Sequence, residues 1–88
     1  SPVISVNRTV AVSMAYGPAA ALPLVKQLQA EPALQQYHLL PSVRGELLRQ
    51  LQRPDEAQAE FQRAALLTQN ARERALLLAK AAGCSTPE

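Results

Sequence analysis

"RGELLRQLQRPDEAQAEFQRAA", residues Arg44–Ala65, decides how this chain folds. Before the break at Arg53-Pro54, Leu47, Leu48 and Leu51 recur at helical spacing. After it, Ala57, Phe61 and Ala64 stand at i, i+4 and i+7. Proline suits the first position of a helix, and Asp55 and Glu56 behind it complement the positive end of the helix dipole. The stretch therefore predicts two helices joined by a tight turn. Gly45 and Ala57 fall where the two axes would cross, so that any larger side chain would push the helices apart. Phe61 fills the wedge that opens beyond that contact.

Working outward, the same punctuation repeats. Ser1-Pro2 reads as a cap and first position for a helix through Tyr16, ended by Gly17. Gly17-Pro18 starts a second helix to about Gln29, with Ala21, Val25 and Leu28 on one stripe. Pro23 lies past its first turn, where the missing N–H and the ring should kink the helix or delay its start. Ala30–Gln36 is a connector containing Pro32, with room for one loose turn. A third helix spans about His38–Gln52, with Pro41 tolerated in its first turn, and a fourth runs from Pro54 to about Thr68. Asn70 with Glu73 makes a capping-box pattern for a fifth helix that Gly83 closes. Short connections force antiparallel neighbours. The expected fold is all-α, a single domain over residues 1–83 with a frayed tail at 84–88.

Composition agrees. The 88 residues include sixteen Ala and fourteen Leu but only 3% aromatics, a balance that favours close helix packing over sheet. A chain this short supports one thin core. It opens on Ser1 rather than Met, which suggests a piece of something longer. Net charge is +2, with nine basic and seven acidic residues, and the signs interleave along the second half. Nucleic-acid binding wants clustered phosphate contacts or aromatic platforms, and Tyr16, Tyr37 and Phe61 scattered among mixed charge supply neither. Cys84 is the only cysteine, so no intrachain disulfide or zinc cluster can be assembled. No apolar run approaches the roughly 20 residues of a membrane span, and no signal-like leader is evident. These features suggest a cytoplasmic protein.

The spacing resembles the tetratricopeptide repeat (TPR), a helix pair of about 34 residues with small and aromatic residues at fixed offsets. With His38 as first position, Gly45 matches the small residue of its first helix and Leu48 the large one. Ala57, Phe61 and Ala64 match the small, aromatic, small triplet of its second helix. Pro41 and Gln69 depart from the pattern. An earlier copy lies over Pro2–Leu28, with Ala21, Val25 and Leu28 standing where the later triplet stands. The resemblance implies a right-handed stack of about five helices, closed by a capping helix that packs through Ala79 and turns Glu73 and Lys80 to water.

A closer resemblance runs through "VNRTVAV" (Val6–Val12), "GPAAALPLV" (Gly17–Val25), "YHLLPSVRGELLRQL" (Tyr37–Leu51) and "TQNARERALL" (Thr68–Leu77). In this order the segments are similar to the C-terminal extension of one group of bacterial extracytoplasmic-function RNA polymerase sigma factors. The likeness covers about residues 2–82. It implies a TPR-like region that follows the sigma domains and is needed for, or regulates, their activity. The promoter-recognising regions themselves do not occur in this sequence.

The TPR register places Val3, Val6, Asn7 and Val10 along a concave groove, joined by Leu39, Ser42, Val43, Glu46, Arg49 and Gln50 of the second unit. The candidate partner-binding residues are Asn7, Arg8, Val10, Val43, Arg44, Glu46 and Arg49. Asn7-Arg8 inside an apolar helix also suits a structural bridge between helices, since buried polar groups must be hydrogen-bonded. Arg44 could pair with the Glu46 side of its helix or with the connector, or meet a partner. His38 has no catalytic companions nearby, Tyr37 reads as a helix-entry packing residue, and Cys84 falls in the tail. No phosphate loop, paired carboxylates, Ser/His/Asp set or metal spacing occurs, so a catalytic role, a cofactor and a metal are not expected. The expected partners are the sigma-factor core domains of the same chain, RNA polymerase, or a second copy. The alternative is a TPR scaffold of an unrelated protein that holds a peptide or self-associates.

Overall fold

The computed structural model describes the backbone of residues 2–84 and the side chains of residues 4–84. Over these residues the chain is all-α. It comprises α1 (Pro2–Tyr16), α2 (Pro18–Gln29), α3 (Leu39–Gln50), α4 (Pro54–Leu67) and α5 (Ala71–Gly83), with a 3-10 turn, Pro32–Leu34, between α2 and α3. The expected Ser1 cap, the side chain of Val3 and the tail from Ser85 onward lie outside the described residues. Each helix packs chiefly on its neighbour in sequence, and α1 also touches α3. The shortest dimension is 19 Å, about two helix diameters. Among the described residues no helix is long and apolar enough to cross a membrane.

The helix ends follow from local chemistry. Gly17 alone separates α1 from α2; it takes φ 93°, a left-handed conformation that suits glycine, and its N–H donates to the Ser13 carbonyl at 2.8 Å. Of the two effects expected of Pro23, a kink or a delayed start, the delay does not occur: α2 starts at Pro18 and runs through Pro23. Its ring is exposed, so the proline removes one N–H from the ladder without displacing packed side chains. The third helix stops at Gln50, short of the expected Gln52. Gln52 adopts φ 63°, its N–H donates to Arg49 O at 3.1 Å, and the Arg53 N–H donates to Leu48 O at 2.9 Å. This is a Schellman closure built without glycine.

At α5 one arm of the expected capping box forms, the Glu73 N–H donating to Asn70 Oδ1 at 2.9 Å. The return arm is relayed. The Asn70 N–H donates to Thr68 Oγ1 at 3.2 Å, and that hydroxyl donates to Glu73 Oε2 at 2.9 Å. Arg74 closes the other side of the junction, donating to the carbonyls of Ala65 and Thr68. Gly83 is the last residue of α5, and Cys84 caps it in the right-handed region; no left-handed glycine ends this helix. Cys84, expected in the tail, is buried at 6% exposure and packs in the core.

Two apolar clusters make the core, and they meet at α3. Leu47 joins Val6, Ala21, Val25, Leu34 and Leu40. Leu48 joins Ala57, Phe61, Ala64, Leu77 and Ala81. Consecutive helical residues point about 100° apart, so the two leucines feed different clusters. Leu22 of α2 packs against both. In α5 the packing positions are Leu77, Ala81 and Cys84, at i, i+4 and i+7; Ala79, expected to pack, is exposed.

Gly45 and the fully buried Phe61 form the tightest joint. A Cβ built on Gly45 would lie 2.9 Å from Phe61 Cε1 and 3.0 Å from Cδ1. The ring therefore sits on the glycine itself, where it was expected to fill space beyond the crossing.

Glu60 of α4 is the buried acid. Its Oε1 lies 3.6 Å from Arg44 Nη1, and its enclosed Oε2 has no protein hydrogen-bond donor. Burial pushes its carboxyl above the usual range, and the charges of Arg44 and Arg63 only partly oppose this.

Three outcomes are expected in urea denaturation. Gly45→Ala destabilises by about 1–2 kcal/mol, because the overpacking cost exceeds the gain in helix propensity; in a Phe61→Leu background the same change costs less. Gln52→Gly stabilises by about 1 kcal/mol by relieving the left-handed conformation. Glu60→Gln stabilises by about 1 kcal/mol at neutral pH. A raised folded-state pKa means that the protonated acid favours the fold and that ionisation weakens it as pH rises through that value. The Glu60→Gln advantage therefore shrinks as pH falls through that raised value towards the normal carboxylate range, and is gone below it.

Candidate protein-interaction groove

The faces of α1 are set by what it packs on. Val6 is buried in the core, and Thr9 beside it is buried at 2% exposure with its hydroxyl donating to Ser5 O at 3.0 Å. That satisfies the one enclosed polar side chain of the helix. One turn further on, Val10, Ser13 and Met14 share the face that looks along α3.

Opposite them, α3 presents Ser42, Val43, Glu46, Leu47 and Gln50, and the two sets enclose a cleft of about 310 Å³. Its floor is Leu47, 3% exposed, while Val10 at 37% and Met14 at 85% remain accessible on the wall. A smaller cleft of about 160 Å³ continues past Ser42 between α3 and α5, lined by Leu39, Leu76 and Lys80 among others. The concave surface therefore runs across α1, α3 and α5, apolar along its length with polar groups at fixed points.

Glu46 is the principal fixed charge. Arg49 donates to its Oε2 at 2.8 and 3.3 Å, and Lys80 of α5 lies 3.4 Å from its Oε1. Burial raises its pKa, but the hydrogen bonds and charges of Arg49 and Lys80 outweigh that and hold the carboxyl below the usual range. With one cation on each oxygen, the group ties α3 to α5. Lys80 also lies 5.9 Å above the Phe61 ring centroid, a cation–π distance. At the far end, His38 Nε2 is 3.2 Å from Glu73 Oε2, and the His38 ring meets Tyr37 edge-on. Glu73 and Lys80, expected to face water, are both spent on contacts between helices.

Five expected groove residues, Val10, Ser42, Val43, Glu46 and Gln50, converge in the larger cleft, and Leu39 lines the smaller one. Arg49 reaches the groove edge through Glu46. The others fall elsewhere. Val6 belongs to the core, Asn7 is exposed outside the cleft, and Arg8 faces a separate cleft between α1 and α2 with Leu24 and Gln27. Asn7 and Arg8 make no bridge between helices among the described residues; Thr9 is the polar residue that α1 buries. Arg44 pairs with Glu60, not with the Glu46 side of its helix, and lines a cleft against α2. Ser13 and Met14 escaped the sequence analysis, although they stand three and four residues from Val10 and so share its face.

No family model matches this chain, and no solved structure matches it. An uncharacterized protein of Rhizobium meliloti (strain 1021) is 46% identical to it over 77 residues, 88% of this chain. The chain spans 18% of the length of that curated relative.

Proposed function

We propose that this chain is a non-catalytic protein-interaction module, the TPR-like regulatory region of an extracytoplasmic-function sigma factor, working in the cytoplasm. It modulates transcription initiation by docking the α1–α3 groove onto the sigma domains of its own chain or onto RNA polymerase. The observation that carries this proposal is the groove. Its lining is mostly apolar in exposed surface, its floor is the buried Leu47, and its carboxylate Glu46 is already neutralised by two cations, which suits an aliphatic or helical surface better than a charged peptide end. The sequence likeness to sigma-factor extensions supplies the partner. Differential contact with two arrangements of the sigma domains would shift the population between them.

A second possibility draws support from α1, where Ile4 at 57%, Met14 at 85% and Tyr16 at 80% exposure leave apolar surface uncovered. That surface suits self-association by a TPR scaffold unrelated to sigma factors.

Promoter-dependent transcription in vitro by the full-length gene product with core polymerase separates the two. Removing this region should change the transcript yield at least fivefold. Val10→Asp and Met14→Glu, both at accessible positions, should reproduce that change with an unaltered melting curve. Unchanged transcription from all three proteins, together with a molecular mass that rises with concentration, would favour the scaffold.

A further inference from the structure

The cleft between α2 and α3 differs from the groove in the charge of its lining. It encloses about 570 Å³ and collects Lys26 from α2, Arg44 from α3 and Arg53 from the turn before α4. Three cations from three elements thus face one space. The α2 segment carries no acidic residue, so nothing on that wall neutralises them. Arg53 is engaged by Glu56. Lys26 makes no ion pair among the described residues.

Arg44 is the telling member. Its side chain is only 26% exposed, and its contact with Glu60 at 3.6 Å lies beyond hydrogen-bonding range. A half-buried guanidinium with five N–H donors therefore makes no hydrogen bond to the described protein. Such a group favours an added acceptor, and a carboxylate in its fork geometry is the natural one.

A second, independent observation concerns the backbone. Ala19 and Pro23 both line this cleft. Because Pro23 has no N–H, the Ala19 carbonyl lacks its usual helical partner, and Ala19 is a lining residue of the cleft that the three cations share. The cleft thus offers cations for acidic groups and one bare acceptor for an N–H donor. A polypeptide brings both. A nucleic acid strand would meet no aromatic stacking surface here, since no aromatic residue lines the cleft.

We propose that this cleft is a second binding site, one that holds a short acidic stretch of a partner polypeptide: carboxylates on Lys26, Arg44 and Arg53, and a backbone N–H on the Ala19 carbonyl. It does not depend on the groove or on a sigma-factor role.

The test titrates the chain with a fluorescein-labelled oligoglutamate, following anisotropy and amide resonances, with an oligothymidylate of equal charge in a parallel arm. Oligoglutamate should shift resonances of α2 and of the residues flanking Arg44 and Arg53. Lys26→Glu, at an exposed position, should weaken binding about tenfold. Pro23→Ala restores the N–H that satisfies Ala19, and should weaken binding about threefold while raising the melting temperature. Affinity untouched by both substitutions would overturn the proposal. So would shifts centred on Arg8, Arg63 or Arg72, or tighter binding of oligothymidylate than of oligoglutamate.

Discussion

The contact between Gly45 and the Phe61 ring is the constraint on which the rest of the molecule depends. With the ring edge where a Cβ would stand, α3 and α4 come close enough for Leu48, Ala57 and Ala64 to seal the second cluster around Phe61. The same approach sets Arg44 against Glu60 and brings Lys80 of α5 over the outer face of the ring. Remove the void at residue 45 and each of these distances must change. The tyrosine rings lie elsewhere, Tyr16 exposed and Tyr37 against the first cluster, so Phe61 is the ring that fills this volume.

Much of this was legible in the sequence because the signals are local. Proline at residues 18 and 54, glycine at 17 and the acids at 55 and 56 set helix starts that depend on neighbouring residues alone. The triplet at 57, 61 and 64 reported burial for the same reason, since period and burial coincide on a packed helix. Gln52 was illegible because a left-handed turn without glycine has no compositional mark. Ala79 was mistaken for Ala81 because an alanine-rich helix hardly reveals its phase, and the difference emerges only when Leu77 is seen to point inward.

The site was legible on one side. The α3 wall follows from the repeat register, and Ser42, Val43, Glu46 and Gln50 all reach it. On α1 the register rested on weaker similarity, and it sent Val6 outward when the core required it. Partners distant in sequence were out of reach of any local argument: Arg44 with Glu60, His38 with Glu73 and Lys80 with Glu46 each join separate helices. Charge interleaving along the second half concealed that several of those charges serve as ties between helices.

Residues 45 to 48 divide their labour by single steps along one helix turn: the void beneath the ring, the twice-bridged carboxylate, and one leucine for each cluster. Substitution along that turn would alter architecture as well as recognition. The opposite wall carries no such double duty, for Val10, Ser13 and Met14 border the cleft without belonging to either cluster. Diversification of ligand preference among descendants of this scaffold should therefore accumulate on the first helix while the third stays nearly frozen, giving a binding surface with one inherited jaw and one adaptable jaw.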